Sequence, residues 1–439
     1  MSSARATPDC YIGLDLGTSG CRAVAIDDDG RVAAEARQAL PESRHPQPGA
    51  SEQDPDDWWN ATIAVLKLLV EQRPGLIRAI CVDGTSSTLL LCDRQGGPCT
   101  AGLMYDDRRA GAQATLIERV APPESAARGA GSALAKLLYL LEIHQRMPVA
   151  HALHQADWIN GRLGGRFGIS DENNALKLGY DPVARQWPDW LGRLPFPSSL
   201  LPRVLPVGAP LGTLSRALTT LLGLAEDVLL VAGTTDSNAA TLAAGIDRIG
   251  DAVTSLGSTL VVKILSDRPV SSSRYGVYSH RIGDQWLVGG ASNTGGSVLR
   301  QFFSDIELAE LSPQIDPERT LGLGYYPLPA AGERFPNNDP QMLPRMQPRP
   351  ADKAEFLQAI FEGIAAIEAE GYARLAELGA PSPGRIYTCG GGAVNETWRR
   401  IREHRLGVPV QRAEHTEAAY GVALLARAAV RGSAAQLGQ

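Results

Sequence analysis

Residues able to do chemistry sit where apolar runs of this chain break into small, hydroxyl-bearing or acidic positions. Asp15 lies at the end of Tyr11-Ile-Gly-Leu-Asp-Leu-Gly17, ahead of the turn Gly17-Thr-Ser-Gly20. Backbone N–H groups and hydroxyls with so little bulk can approach a phosphate chain closely. Asp15 repels phosphate, but a carboxylate there can hold a hydrated Mg²⁺ that bridges to phosphate oxygens. An ordinary hairpin with a strand-end aspartate uses the same residue types. Gly257-Ser258-Thr259 offers the same donors without an acid, and alone it reads as a plain turn. Thr388-Cys-Gly390-Gly391-Gly392-Ala-Val-Asn395 joins the strand-like Arg385-Ile-Tyr387 to a helical stretch, Glu396 to His404. Such a unit either presents amides and a helix start to a ligand or packs strand and helix tightly. In Val231-Ala-Gly-Thr-Thr-Asp236 a strand ends in an acid ahead of an Ala-rich helix. That acid can take a proton from a substrate hydroxyl or cap the helix.

Several other chemistries find no motif. Asn395 stands where G-x-G-x-x-G needs its last glycine, and G-x-x-x-x-G-K-[ST], G-x-S-x-G and H-E-x-x-H do not occur. His151 and His154 are three apart without carboxylate or cysteine company, which reads as a solvated helix face rather than a metal site. Cysteines 10, 21, 81, 92, 99 and 389 form no C-x-x-C pair, and several lie in apolar runs. They are expected to be free thiols in a reducing cytosol.

These positions require strands, turns and helices in alternation. Residues 11–26 read as a hairpin with the polar tip Asp27-Asp-Asp-Gly30 beyond it, continuing into a third strand near Val32. Asp54-Pro55-Asp56-Asp57 opens a helix that runs to about Glu71, with Asp54 as cap and Pro55 at the first helical position. Ile77–Val82 is a strand delivering Asp83-Gly-Thr-Ser-Ser-Thr88, and Leu89–Cys92 a further apolar run. Helical patterns follow near 111–120 and 132–146. The alternation predicts the α/β class. Residues 195–210 and 327–350 are rich in proline and are expected to be exposed irregular connections. Asp15-Leu-Gly-Thr-Ser-Gly20 is echoed by Ser255-Leu-Gly-Ser-Thr259, each between two strand-like runs, which suggests two related lobes.

Composition narrows the class. With 439 residues, 44% hydrophobic and 21% charged, the chain can bury a large core without staples. Net charge is −6, arginine is scattered, and lysine occurs only at 67, 136, 177, 263 and 353. Nothing here is a nucleic-acid footprint. No secretory signal and no apolar run of membrane-spanning length is visible, so a cytoplasmic location with no membrane partner is expected.

The ordered set of segments resembles the FGGY carbohydrate kinases of the actin-like ATPase superfamily. The matching segments are Asp15-Leu-Gly-Thr-Ser, Glu52-Gln-Asp-Pro55, Tyr105-Asp-Asp-Arg-Arg109, Ala156-Asp-Trp158, Gly233-Thr-Thr-Asp236, Ser255-Leu-Gly-Ser-Thr259, Gly332-Glu-Arg-Phe-Pro336 and Gly390-Gly-Gly-Ala-Val-Asn395. Three more segments, Asp83 to Asp93, Asn174 to Tyr180 and Gly289 to Asn293, look like the compact, xylulokinase-like branch of cyanobacteria and plant plastids, characterised as D-ribulose kinases. Gly84-Thr-Ser-Ser-Thr88 replaces the Gln-Met-His-Gly sugar segment usual in xylulokinases.

The resemblance implies two ribonuclease H-like lobes flanking a deep cleft. A sugar-binding lobe would span 8–243, with 417–439 returning to it through a helix opened by Thr416 and stopped near Gly432. A nucleotide-binding lobe would span 244–416. ATP and Mg²⁺ are the implied cofactors, and the partners are a small sugar and ATP, with the chain a monomer or homodimer. Asp236 matches the catalytic base that accepts the 5-hydroxyl proton of a ketopentose. Asp15 matches the acid near Mg²⁺, the transferred phosphate and the sugar, and Ser86 a sugar contact. Gly17, Thr18 and Ser19 match the first phosphate turn, Gly257 and Ser258 the second, and Gly391, Gly392, Asn395 and Trp398 the adenosine pocket. Asp107 and Arg109 are either a sugar contact or a surface ion pair, with the second preferred. D-ribulose is the expected substrate. D-xylulose or another ketose or polyol is the alternative, and a non-catalytic sensing module is the alternative of another class.

Overall fold

Two six-stranded sheets come out of this alternation. The computed structural model describes residues 8–72 and 74–432. They divide into two units. One runs to Ala243 and takes in Arg281–Gly283 and the chain from Glu417; the other holds Ala244–His280 and Asp284–Thr416.

In the first unit the strands are β1 (Asp9–Leu16), β2 (Gly20–Asp27), β3 (Val32–Ala39), β4 (Leu76–Gly84), β5 (Pro210–Thr213) and β6 (Leu229–Val231). Their order is β5-β6-β4-β1-β2-β3. β1, β2 and β3 form an antiparallel meander, as the turn residues predict. β4 then runs parallel to β1, and β6 parallel to β4. β1 and β4 are buried almost end to end, as strands covered on both faces must be. One cover is the helix Pro55–Glu71, where Asp54 accepts from the Asp56 amide and Trp58, Val65, Leu66 and Leu69 point inward. Another is the helix Ala418–Arg431, which Glu417 rather than Thr416 precedes as cap residue and Gly432 ends in a left-handed conformation. This helix lies so close that a Cβ on Gly13 would stand 1.8 Å from the Ala419 carbonyl oxygen. One on Gly421 would stand 1.9 Å from that of Ala239.

A smaller four-stranded sheet of Glu52–Gln53, Gly102–Leu103, Leu89–Cys92 and His151–His154 completes this unit. Leu89, Leu91, Leu137, Leu140 and Trp190 belong to its separate core, which the helices Gly111–Glu118 and Ala133–Ile143 help to build. Here one expectation fails. His151 and His154 lie on a strand, not a helix, and His154 is fully buried with Nδ1 2.8 Å from Asp157 Oδ2. Strand alternation had no polar position to announce the burial.

The strands of the second large sheet are β7 (Asp251–Leu256), β8 (Leu260–Ser266), β9 (Tyr278–Ile282), β10 (Gln285–Ser292), β11 (Arg385–Cys389) and β12 (Val410–Arg412). Their order is β9-β10-β8-β7-β11-β12. β7, β8 and β10 are antiparallel neighbours, while β11 runs parallel to β7 and β12 parallel to β11. The plan repeats that of β1, β2, β3, β4 and β6, so the short echo in sequence marks a repeated topology. The helix Lys353–Glu377 supplies Phe356 and Phe361 to one core and Tyr372 and Leu375 to another.

The connection 327–350 is irregular, as its prolines predict, but it is not simply exposed. Phe335 is buried against the second core, and buried Glu333 accepts from Ser292 Oγ and the Asn293 amide. The other proline-rich stretch contains the short strand Arg203–Leu205, paired only with Ile169–Asp171. All six cysteines are free, and Cys10, Cys21, Cys81 and Cys92 are buried. Among the described residues no helix is long and apolar enough to cross a membrane.

Candidate active site

Three aspartates gather at the carboxyl ends of β1, β4 and β6. Asp15 and Asp83 face each other in the parallel register of β1 and β4. A bridge between Gly84 and Thr235 carries the chain beyond β6 alongside the end of β4 and delivers Asp236. The approach depends on Gly233, where a Cβ would lie 1.9 Å from the Val82 carbonyl oxygen. Ligands commonly bind outside the carboxyl ends of parallel strands, where loops replace the ladder.

The three acids differ in surroundings. Asp15 is 3% exposed and accepts from Arg22 Nη1 at 2.9 Å, Arg22 being its register partner on β2. Burial nonetheless raises its carboxyl above the ordinary range, with Arg22 opposing. Asp83 is wholly buried, and neither carboxylate oxygen has a hydrogen-bond donor unless a proton is shared with Asp15. Burial first, then the charges of Asp15 and Asp236, push it well above the carboxylate range. Like charges this close do not all ionise together. Asp236 is half-buried and opens the helix Asp236–Ala243, where the positive end of the dipole favours a carboxylate. It is therefore the one of the three that a substrate hydroxyl can reach most readily. Sequence reasoning gave Asp83 no role, since its weight comes from register with Asp15.

The turn between β1 and β2 holds Gly17, Thr18 and Ser19. Gln53 Nε2 donates to the Thr18 carbonyl at 2.7 Å, Trp58 Nε1 donates to Gln53 Oε1 at 2.7 Å, and the Leu40 amide donates to the Ser19 carbonyl. With those carbonyls engaged, donors are what the turn can offer a ligand. Ser86 lies in the turn Thr85–Thr88, and it alone of the four is not buried. Thr85 donates through both its amide and Oγ1 to Gln155 Oε1 at 3.0 Å, and Thr85 and Thr88 share a hydroxyl contact at 2.6 Å.

Asp107 and Arg109 are not the surface pair expected. Asp107 is fully buried and the Arg109 side chain is 8% exposed. Arg109 Nη2 donates to Asp107 Oδ2 and to Glu52 Oε1, both at 2.7 Å, and the Ser51 amide donates to Asp107. The pair ties the Tyr105–Arg109 segment to Glu52-Gln-Asp-Pro55.

In the second unit, Gly257, Ser258, Gly391, Gly392, Asn395 and Trp398 line one cavity of about 810 Å³, a size suited to a small organic ligand. The turn after β7 is pinned by amides of Gly296 and Ser297, which donate to the Gly257 and Ser258 carbonyls. Asn395 caps the helix Glu396–Leu406 by accepting from the Trp398 amide, and its Nδ2 donates to Ser312 Oγ at 2.7 Å. The Trp398 ring is 1% exposed and stacks on Phe361 at 4.7 Å, so it is a wall of the cavity and part of the core at once. Ser312 and Phe361 also line this cavity, and nothing in their local sequence singled them out. Gly17, Thr18 and Ser19 belong to the first unit and are not among its lining.

Two family models match the chain. The N-terminal domain of the FGGY family of carbohydrate kinases covers residues 10–243, and the C-terminal domain covers 252–430. The chain belongs to the FGGY family of carbohydrate kinases. A glycerol kinase from Gloeobacter violaceus is 31% identical over 435 residues, 94% of this chain and 86% of its own length. A xylulose kinase from Escherichia coli K12 is 26% identical over 413 residues, 89% of this chain and 84% of its own. The crystal structure of xylulose kinase from Rhodospirillum rubrum superposes with a TM-score of 0.86 at 24% identity, covering 98% of this chain and 92% of that one. The fold is thus the two-domain α/β fold of FGGY kinases, of the actin-like ATPase type.

Carbohydrate kinases of this family use ATP, normally with Mg²⁺, and the acidic centre fits such an ion. Asp83 has two carboxylate oxygens without donors, beside a second buried carboxylate. Among the described residues no three acidic, histidine or cysteine ligands form a ready cage. That suits an ion held by one or two carboxylates with water and phosphate oxygens, the usual habit of Mg²⁺.

Proposed function

We propose that this FGGY kinase transfers the γ-phosphoryl group of ATP to the 5-hydroxyl of a ketopentose, D-ribulose foremost. The observation carrying this reading is the convergence of Asp15, Asp83 and Asp236 at three neighbouring strand ends. Asp236 accepts the hydroxyl proton as that oxygen attacks the γ-phosphorus and the bond to the ADP oxygen breaks. Its partial exposure at the start of a helix leaves it reachable by a substrate hydroxyl. Asp15 would hold the Mg²⁺, which supplies charge neutralisation on the phosphates. Donors of Thr18, Ser19 and Ser258 orient the phosphate chain, while Gly17 and Gly257, whose amides donate to the Gly20 and Thr259 carbonyls, give it close approach. Gly391, Gly392, Asn395 and Trp398 form the adenosine wall. Ser86 contacts the sugar, in keeping with its being the unburied residue of a hydroxyl-rich turn.

D-ribulose is favoured over D-xylulose because Gly84-Thr-Ser-Ser-Thr88 stands where xylulokinases carry Gln-Met-His-Gly. Another ketose or a polyol is the second reading. Relatives named xylulose kinase and glycerol kinase, 26% and 31% identical, favour it. ADP release with Mg-ATP, measured across D-ribulose, D-xylulose, L-ribulose, ribitol and glycerol, decides between them. A tenfold lead in kcat/KM for D-ribulose, about 1.4 kcal/mol in the transition state, is expected. A lead for any other acceptor discards D-ribulose and keeps the kinase. Nucleotide binding without acceptor-stimulated turnover discards the kinase.

A further inference from the structure

Lys136 is one of five lysines in the chain, and its side chain is fully buried. It lies in the first turns of the helix Ala133–Ile143, where the helix dipole disfavours a cation. Among the described residues no carboxylate is within ion-pair reach of it. Burial pushes its ammonium down from 10.5 to about 7. Asp107 and Asp106 pull the other way, while Lys177 and Arg108 add to the depression. Burying an ammonium is costly unless its donors are satisfied. What the ammonium does is donate to two backbone carbonyls, Ser87 O at 2.9 Å and Met104 O at 2.6 Å.

Both carbonyls sit at informative places. Ser87 has φ of +67°, a conformation that side chains other than glycine rarely adopt, inside the turn that presents Ser86. Met104 immediately precedes the Tyr105–Arg109 segment, and its carbonyl also accepts from the Asp107 amide. Two loops from different strands of the small sheet are thus joined through one nitrogen.

We infer that Lys136 is a positioning residue for the sugar: it holds the strained Ser87 turn against the start of Tyr105–Arg109 and so fixes where Ser86 stands. This rests on the reading of residues 84–88 as the sugar segment. Loss of the clamp lets the turn relax, which weakens acceptor binding and blurs discrimination between acceptors. The nucleotide cavity, built from residues of the other unit, is left as it was.

The experiment compares wild type with Lys136→Met in the full chain. It measures KM and kcat for the preferred acceptor, its lead over the next acceptor, ADP binding by calorimetry, and thermal unfolding. The expected result is a folded variant with ADP affinity within twofold of wild type. Acceptor KM should rise at least tenfold, and the lead over the next acceptor should shrink. Lys136→Arg, which keeps donors and charge, should recover part of the KM. Unchanged acceptor KM overturns the inference, and so does equal loss of acceptor and ADP binding, which marks a merely structural lysine. Should Lys136→Met not fold, Lys136→Gln, shorter but still a donor, is judged by the same two criteria. A wild type with no acceptor-stimulated turnover overturns the kinase reading and this inference together, whereas an active wild type with an unaffected variant overturns the inference alone.

Discussion

Asp83 is the residue that most alters the picture of the first unit. A wholly buried carboxylate without donors, set between two other acids, holds that corner of the protein under electrostatic load. Asp15 and Asp236 both add to that load, but Asp236 differs from the other two in being half-buried at a helix start. Asp236→Asn should therefore lower kcat by about 10²–10⁴-fold, the range typical of a lost general base. Melting temperature and ADP affinity should stay near wild type. Residual activity within a few-fold of wild type would remove Asp236 from the mechanism. Asp15 and Asp236 were legible because each ends an apolar run at a glycine or threonine turn. Asp83 ends one too, but its meaning comes from lying opposite Asp15, a relation of strand register that linear spacing does not contain.

At the scale of elements, several segments that carried the family resemblance turn out to be fasteners. Gln53 holds the Thr18 carbonyl, Arg109 holds Glu52, Asp107 holds the Ser51 amide, Gln155 holds Thr85, and Glu333 holds Ser292 and Asn293. The strands and capped helices were readable from apolar runs, Asp54-Pro55 and glycine turns. The fasteners were not, because each joins residues distant in sequence. The largest of them lies in the second unit, where Arg402 donates twice to Glu368, at 2.6 and 2.7 Å, and once to Thr388 on β11. Thr254 on β7 donates to the same Glu368, and all these side chains are buried. Removing one partner of such a pair leaves an uncompensated buried charge. Arg402→Ala should cost about 3–5 kcal/mol, read as lost hydrogen-exchange protection in β7 and β11. Protection in β1 and β4 should persist. Unchanged protection in β7 would show that the network adds nothing to that sheet.

On the scale of the whole molecule, the chain makes two sheets of one plan and spends its last helix on the first of them. The C-terminal family model extends to residue 430, yet from Glu417 onward the chain belongs to the unit built by the N-terminal half. The contacts of Gly13 with Ala419 and of Gly421 with Ala239 are backbone-close, and Ala419, Val422, Ala423 and Ala426 are buried. A fragment of residues 8–243 should then lack a face of its core. It should stay poorly folded by circular dichroism until a peptide of residues 417–432 is added. A fragment that melts cooperatively by itself would show that the helix is dispensable.

The same helix sets an order on biosynthesis. Domains generally fold as units while the chain is still emerging, N-terminal part first. Here the unit begun first is finished last, since its closing piece is made after the whole second unit. A message cut short, or a ribosome stalled before residue 418, releases a chain whose first sheet keeps an uncovered apolar face. Such a product is marked for chaperones and proteases. Synthesis through residue 431 is what supplies the cover for that face.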